Sequence, residues 1–169
     1  MIYDKKYLLI FLIPLIAISA CSYSFTGASV PAHLETIAIP LFKDRSGSAE
    51  PNIDNVFTNE LIDKFLNDNT LSVLDKANSD ALLECTITGL RDTPEAVSGE
   101  TEKASLRRIT ITVKVSYRDM VMKKTIFNKD FTNYATYDAN NFSEGRPIAI
   151  ATAIDLITED ILLGVVSNW

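Results

Sequence analysis

The chain has 169 residues with a formal charge of −6, 16 basic against 22 acidic side chains and a single histidine, so avid nucleic-acid binding, which relies on a basic face that neutralises phosphates, is excluded. Nearly half of the residues are hydrophobic (47%), enough for one domain with a real core. The two cysteines cannot form a disulfide framework, and one His with one usable Cys cannot supply the clustered ligands of a zinc site.

Lys5 and Lys6 precede an apolar run, Leu8 to Ala17, broken only by Pro14. A spanning helix needs roughly twenty apolar residues, so this shorter run reads as a secretory signal peptide over residues 1–20. Small residues at Ser19 and Ala20 fit a cleavage site, and Ile18-Ser19-Ala20-Cys21 resembles a bacterial lipobox, which makes Cys21 the acylated first residue of the mature chain. Its lipid, palmitate among the expected acyl groups, would hold the body on a membrane rather than in it. Ser22, standing where an aspartate would favour inner-membrane retention, points to the outer membrane with the domain facing the periplasm. Removing the signal takes away Asp4 and two lysines and moves the charge from −6 to −7.

Residues 21–34 read as the lipidated N-terminus and a short tether, and residues 35–169 as a single domain. The segment "TIAIPLF" over Thr36–Phe42 puts Ile37, Ile39 and Leu41 on one face, with Pro40 requiring an edge or a bulge. After the turn-rich "KDRSGSAEPN", the spacing of Ile53, Val56, Phe57, Leu61, Phe65 and Leu66 predicts an amphipathic helix of about fifteen residues. "LSVL" is long enough only for a short strand.

Three longer strands are predicted next: Leu82 to Leu90 with a weaker tail to Val97, residues 105–118, and Thr125 to Tyr137. The middle one alternates Ile109, Ile111, Val113, Val115 and Tyr117 with polar residues, so one face is buried and the other meets water or a partner. "VSGETEK" and "RDMVMKK" connect them as hairpins. A last helix is expected from Pro147, as a first-turn proline, to about Val166. The fold class is α+β, a two-layer sandwich of two helices on one face of a mostly antiparallel or mixed sheet.

Catalytic chemistry finds no support in these residues. His33, the only histidine, reads as a solvated tether residue, and neither a nucleophile elbow nor a P-loop occurs. Cys85 alternates with polar neighbours in "LLECTITGL" and reads as a core residue rather than a reactive thiol. No cofactor is expected beyond the covalent lipid on Cys21. Lys103, Arg107, Arg108 and Lys114 gather at or along the outer face of the clearest strand, followed by Arg118, Lys123 and Lys124. Such a row could contact phosphates, or could simply keep the face solvated.

The segments "CSYSFTGASVPAHLETIAIPLF", "VFTNELIDKF", "VSYRDMVMKKTIFNKDFTNYATYD" and "ITEDILLGVVSNW" together resemble the LptE family of lipopolysaccharide-assembly lipoproteins, in the form found in Bacteroidetes and Chlorobi-like bacteria. The resemblance spans the mature chain. It implies a four-stranded sheet, where counting "LSVL" gives five candidates, together with a non-enzymatic role. It further implies anchorage in the outer membrane and an LptD-like β-barrel partner that the protein plugs. Lipopolysaccharide contact is expected at Arg107, Arg108 and Lys114. The competing expectation is a periplasm-facing lipid- or glycan-binding lipoprotein that works alone.

Overall fold

The structure, a computed structural model, describes residues 30–95 and 106–167; the export signal, Cys21 and the "VSGETEK" connection lie outside them. In chain order the elements are β1 (Thr36–Ala38), β2 (Lys43–Asp44), α1 (Ile53–Asp68), β3 (Ser72–Val73), β4 (Ala81–Pro94), β5 (Leu106–Asp119), β6 (Lys124–Asp138), a 3-10 turn (Ala139–Asn141) and α2 (Phe142–Val166). The result is an α+β fold with a mixed sheet in the order β3-β1-β4-β5-β6, β2 also pairing with β4. β1, β2 and β3 run parallel to their neighbours, while β4, β5 and β6 form an antiparallel meander.

The four-stranded sheet implied by the resemblance is thereby corrected to six strands. Two local causes account for the difference. The predicted strand over Thr36–Phe42 stops as β1 at Ala38, and a further strand, β2, forms beyond Pro40 at Lys43–Asp44, in the segment expected as a turn-rich loop; Ile37 stands opposite Ala81 and Lys43 opposite Thr86. The edge has one residue more than β4 over that interval, a bulge placed at the residue that cannot donate to the ladder. The short "LSVL" piece does pair, Ser72 opposite Thr36 and Val73 opposite Ile37.

Inward parity builds the core. Ala81, Leu83, Cys85 and Ile87 of β4 and Ile109, Ile111, Val113, Val115 and Tyr117 of β5 share one cluster with Phe57, Leu61 and Phe65 of α1 and with Ala153, Ile157, Ile161 and Val165 of α2. The helical stripe of α1 is narrower than expected, since Val56 and Leu66 remain 47% and 59% exposed. Asn69 closes α1 in the left-handed region (φ 58°), its N–H reaching the Phe65 carbonyl at 3.0 Å.

α2 begins five residues before Pro147, so the proline lies inside the helix and not in its first turn. Asp138 organises the entry by accepting the Asn140 N–H at 2.9 Å. Gly145 lets this extra turn lie against β6, because a Cβ there would meet the Tyr137 Cβ at 3.2 Å.

Tyr117 is buried, and its hydroxyl has no hydrogen-bond partner among the described residues. Burial pushes its phenol up to about 12. In the unfolded chain the phenol ionises near 10, so the native state holds the proton longer, and stability falls as pH rises from 10 to 12. Tyr117→Phe is expected to leave neutral-pH stability unchanged or raise it by up to ~1 kcal/mol and to flatten this alkaline slope. Urea midpoints measured between neutral and alkaline pH check both; a variant with the parental slope contradicts the assignment.

Candidate functional site

The meander leaves one broad polar face outward. β4 contributes Thr86 and Thr88, β5 contributes Thr110, Thr112, Lys114 and Ser116, and β6 contributes Thr132, Tyr134 and Thr136, all brought together by the antiparallel register. Hydroxyls cross the strands: Thr112 Oγ1 lies 3.0 Å from Thr132 Oγ1, and Thr88 Oγ1 donates to the Thr112 carbonyl at 3.3 Å. A register shift between Ile87 and Gly89 bends β4 beside them. The side-chain-free Gly89 leaves a depression of about 390 Å³ lined by Thr88, Gly89, Arg91, Thr110, Thr112 and Thr132.

The three candidate cations do not act as one row. Lys114 is exposed on the outer face opposite Thr86 and Asp130, with no ion-pair partner among the described residues. Arg108 also lies outward, but its guanidinium rests on the Tyr134 ring, 4.1 Å from the centroid, and pairs with Glu95. Arg107 has the parity of Ile109 and Ile111, so its expected place on the outer face is corrected to the inner one. There its Nε donates to Asp92 Oδ1 at 2.8 Å and to the Tyr137 hydroxyl at 3.1 Å, while that hydroxyl donates to Asp92 Oδ2 at 2.7 Å. The Asp92 hydrogen bond holds the Arg107 guanidinium above its ordinary range. Arg146 joins the group, donating to Glu50 at 2.8 Å and lying 3.4 Å from Asp92.

His33 is not a solvated residue. Its Nε2 meets Asp119 Oδ2 at 2.7 Å, with the imidazole 30% exposed and the carboxylate 4%. Asp119 also accepts the Met122 N–H at 2.8 Å, the main cause of a carboxyl held below its usual range. The same end holds Asp80, whose Oδ2 accepts from the Glu35 N–H, the Thr36 N–H and the Thr36 hydroxyl at 3.2, 3.1 and 2.8 Å. Thr36 is the main cause of the lowered Asp80 carboxyl. The sequence reading missed both aspartates; their only local sign is an acidic residue just before β4 and another at the end of β5, a common turn residue.

Cys85 is 3% exposed on the inner face, and burial pushes its thiol far above the thiolate range. The helix carboxylates Asp155 and Glu159 are taken by Lys64 at 2.7 and 3.1 Å. Among the described residues no group of three His, Cys, Asp or Glu is placed to hold a metal, and no helix is long and apolar enough to cross a membrane.

The family model for LptE, described as lipopolysaccharide-assembly, matches residues 34–163, from the turn after His33 to the last turn of α2. The chain belongs to the LptE family. That family is a non-enzymatic one of lipopolysaccharide-assembly lipoproteins, and membership implies association with the lipopolysaccharide transport machinery. No curated protein matches this LptE-family chain in sequence. Among solved structures, the hypothetical protein CT253 from Chlamydia trachomatis is similar at 11% identity and a TM-score of 0.56, over 77% of this chain and 94% of that one. A minor lipoprotein from Acinetobacter baumannii gives 12% and 0.53, over 82% and 95%. A variant of the PelC dodecamer from Paraburkholderia phytofirmans gives 10% and 0.54, over 83% and 94%. At such identities these likenesses speak for the fold alone.

Proposed function

We propose that this LptE-family chain is an outer-membrane lipoprotein, anchored by acyl groups on Cys21 and facing the periplasm, that plugs an LptD-type β-barrel and assists its assembly in lipopolysaccharide transport. The observation that carries the reading is the hydroxyl-rich outer face of β4, β5 and β6, in a chain whose family acts in lipopolysaccharide assembly. The two helices form the second layer of a sandwich, which leaves that sheet face for the barrel wall. A plug in a water-filled lumen must exchange hydrogen bonds with polar wall residues without imposing one sign of charge, and hydroxyls both donate and accept. β5 has 14 residues, roughly 45 Å of strand, which exceeds the ~25 Å apolar band of an outer-membrane barrel. The face can therefore line the lumen while the turn end of β5 projects beyond the barrel's rim.

Lipopolysaccharide contact is assigned to Arg107, Arg108 and Lys114 with unequal availability. Lys114 can meet a phosphate directly, whereas Arg108 must leave Glu95 and Arg107 must leave Asp92. Affinity purification of the protein from detergent-solubilised membranes is expected to bring down a large β-barrel, and depletion to reduce lipopolysaccharide at the cell surface. Recovery of a stable monomer holding a small lipid or glycan, with no barrel and normal surface lipopolysaccharide, would overturn the proposal and favour the solitary binding lipoprotein.

A further inference from the structure

The turn between β5 and β6 exposes three consecutive apolar side chains, Met120 at 37%, Val121 at 56% and Met122 at 63%. Lys123 and Lys124, both exposed, follow directly. In a chain of net charge −6 this is an apolar tip with an adjoining pair of cations. That combination suits the boundary between acyl chains and headgroups, where apolar side chains enter and lysines remain with phosphates.

The tip is also held against the entering chain. His33 is bonded to Asp119, the last residue of β5, and Asp119 fixes the turn through the Met122 N–H. The Asp80 carboxylate holds Glu35 and Thr36, while the Asp80 carbonyl accepts the Met120 N–H at 2.7 Å. The tether therefore arrives at the base of the hairpin. Eleven residues lie between Cys21 and His33, a reach of at most roughly 40 Å, and because His33 is bonded at the hairpin, that end of the domain is the one the chain brings closest to a lipid on Cys21.

We propose that the β5–β6 hairpin is a second membrane contact: Met120, Val121 and Met122 enter the phospholipid surface that holds the anchor, and Lys123 and Lys124 bind its phosphates. The inference rests on the anchoring of Cys21 proposed above. A depression of about 360 Å³ beside the tip, lined by Arg118, Asp119, Met120, Lys123, Lys124 and Thr125, offers room for a headgroup. Arg118 is engaged there by Glu84 at 2.9 Å and Asp119 by His33, which leaves the two lysines as the cations available to a phosphate. The contact would fix the domain's tilt on the membrane, which a single attachment at Cys21 does not.

The test places a polarity-sensitive fluorophore on Val121→Cys of the full chain, with Thr132→Cys on the outer sheet face as the comparison site, in vesicles of phosphatidylethanolamine and phosphatidylglycerol that carry brominated acyl chains. The Val121 label is expected to shift to the blue and lose most of its emission, and the Thr132 label to do neither. Charge reversal at Lys123→Glu and Lys124→Glu in the Cys21→Ala chain is expected to weaken vesicle binding at least about tenfold. A Val121 label that stays water-like on membrane-bound protein overturns the proposal, as does one that is shielded only when outer-membrane proteins are added. Failure of the anchor reading shows separately, as Cys21→Ala chain that fractionates with membranes like its parent, and the quenching result still decides the hairpin.

Discussion

Exchanging Cys21 for alanine is expected to move the protein from the membrane fraction to the soluble periplasm almost completely. Each buried methylene contributes ~0.8 kcal/mol, so one acyl chain of ordinary length contributes on the order of 10 kcal/mol, and a lipobox cysteine carries two or three. The hairpin tip cannot substitute. Three apolar side chains contribute ~1.5–3 kcal/mol each at full burial, and those of the tip are already 37–63% exposed rather than wholly so. The loss should therefore span several orders of magnitude in partition. The fold should be indifferent, because Cys21 precedes the family-matched region at 34–163 and the inner cluster, whose first member is Leu34. Fractionation with labelled palmitate checks both halves: the parent incorporates label and sediments with membranes, the variant does neither, and the thermal midpoint is unchanged. A variant that remained membrane-bound would contradict the lipobox reading of Ile18-Ser19-Ala20-Cys21 directly.

Local periodicity made most of the fold legible. β5 shows a strict alternation of Ile109, Ile111, Val113, Val115 and Tyr117, and each of them is buried. The stripe from Ile150 to Val165 likewise faces the core. What stayed hidden depended on register or on distant partners. Pro40 marked a bulge or an edge, but only pairing with β4 shows that β1 stops at Ala38 and that β2 forms beyond the proline, in the expected loop. Pro147 looked like a helix start because a first-turn proline is favoured; the extra turn before it packs against Tyr137 and follows the 3-10 turn that Asp138 caps. The polar outer face was visible in the same alternation as the core. Of its cations Arg108 and Lys114 lie outward as the alternation implies, while Arg107 occupies an inward position and meets Asp92, fifteen residues away. His33 finds Asp119 across 86 residues, a contact that no local pattern encodes.

The second large effect is expected at Phe57, where alanine should lower stability by ~3–5 kcal/mol, a large part of the ~5–15 kcal/mol that holds a domain folded. The ring is fully buried, and it stacks on Phe42 with centroids 5.3 Å apart and planes 16° apart. Phe42 lies in the bulge between β1 and β2, and its N–H donates to Thr58 Oγ1 at 3.0 Å. That hydroxyl in turn donates to the Asp54 carbonyl at 2.6 Å. Stacking and hydrogen bond thus fasten α1 to the one edge of the sheet that a proline interrupts. Removing the ring leaves a cavity between them that the irregular edge can only partly close. Phe57→Leu keeps most of the volume and should lose less, about 1.5 kcal/mol. Combining Phe57→Ala with Phe42→Ala should give less than the sum of the single losses, by ~0.5–1.5 kcal/mol, because the stacking can be lost only once. Denaturant titration of the four chains measures this; strictly additive losses would mean that the rings contribute through burial alone. The polar face of β5 and β6 is held by its own pairing and by α2, so the Phe57 variant, while folded, should retain whatever partner that face binds.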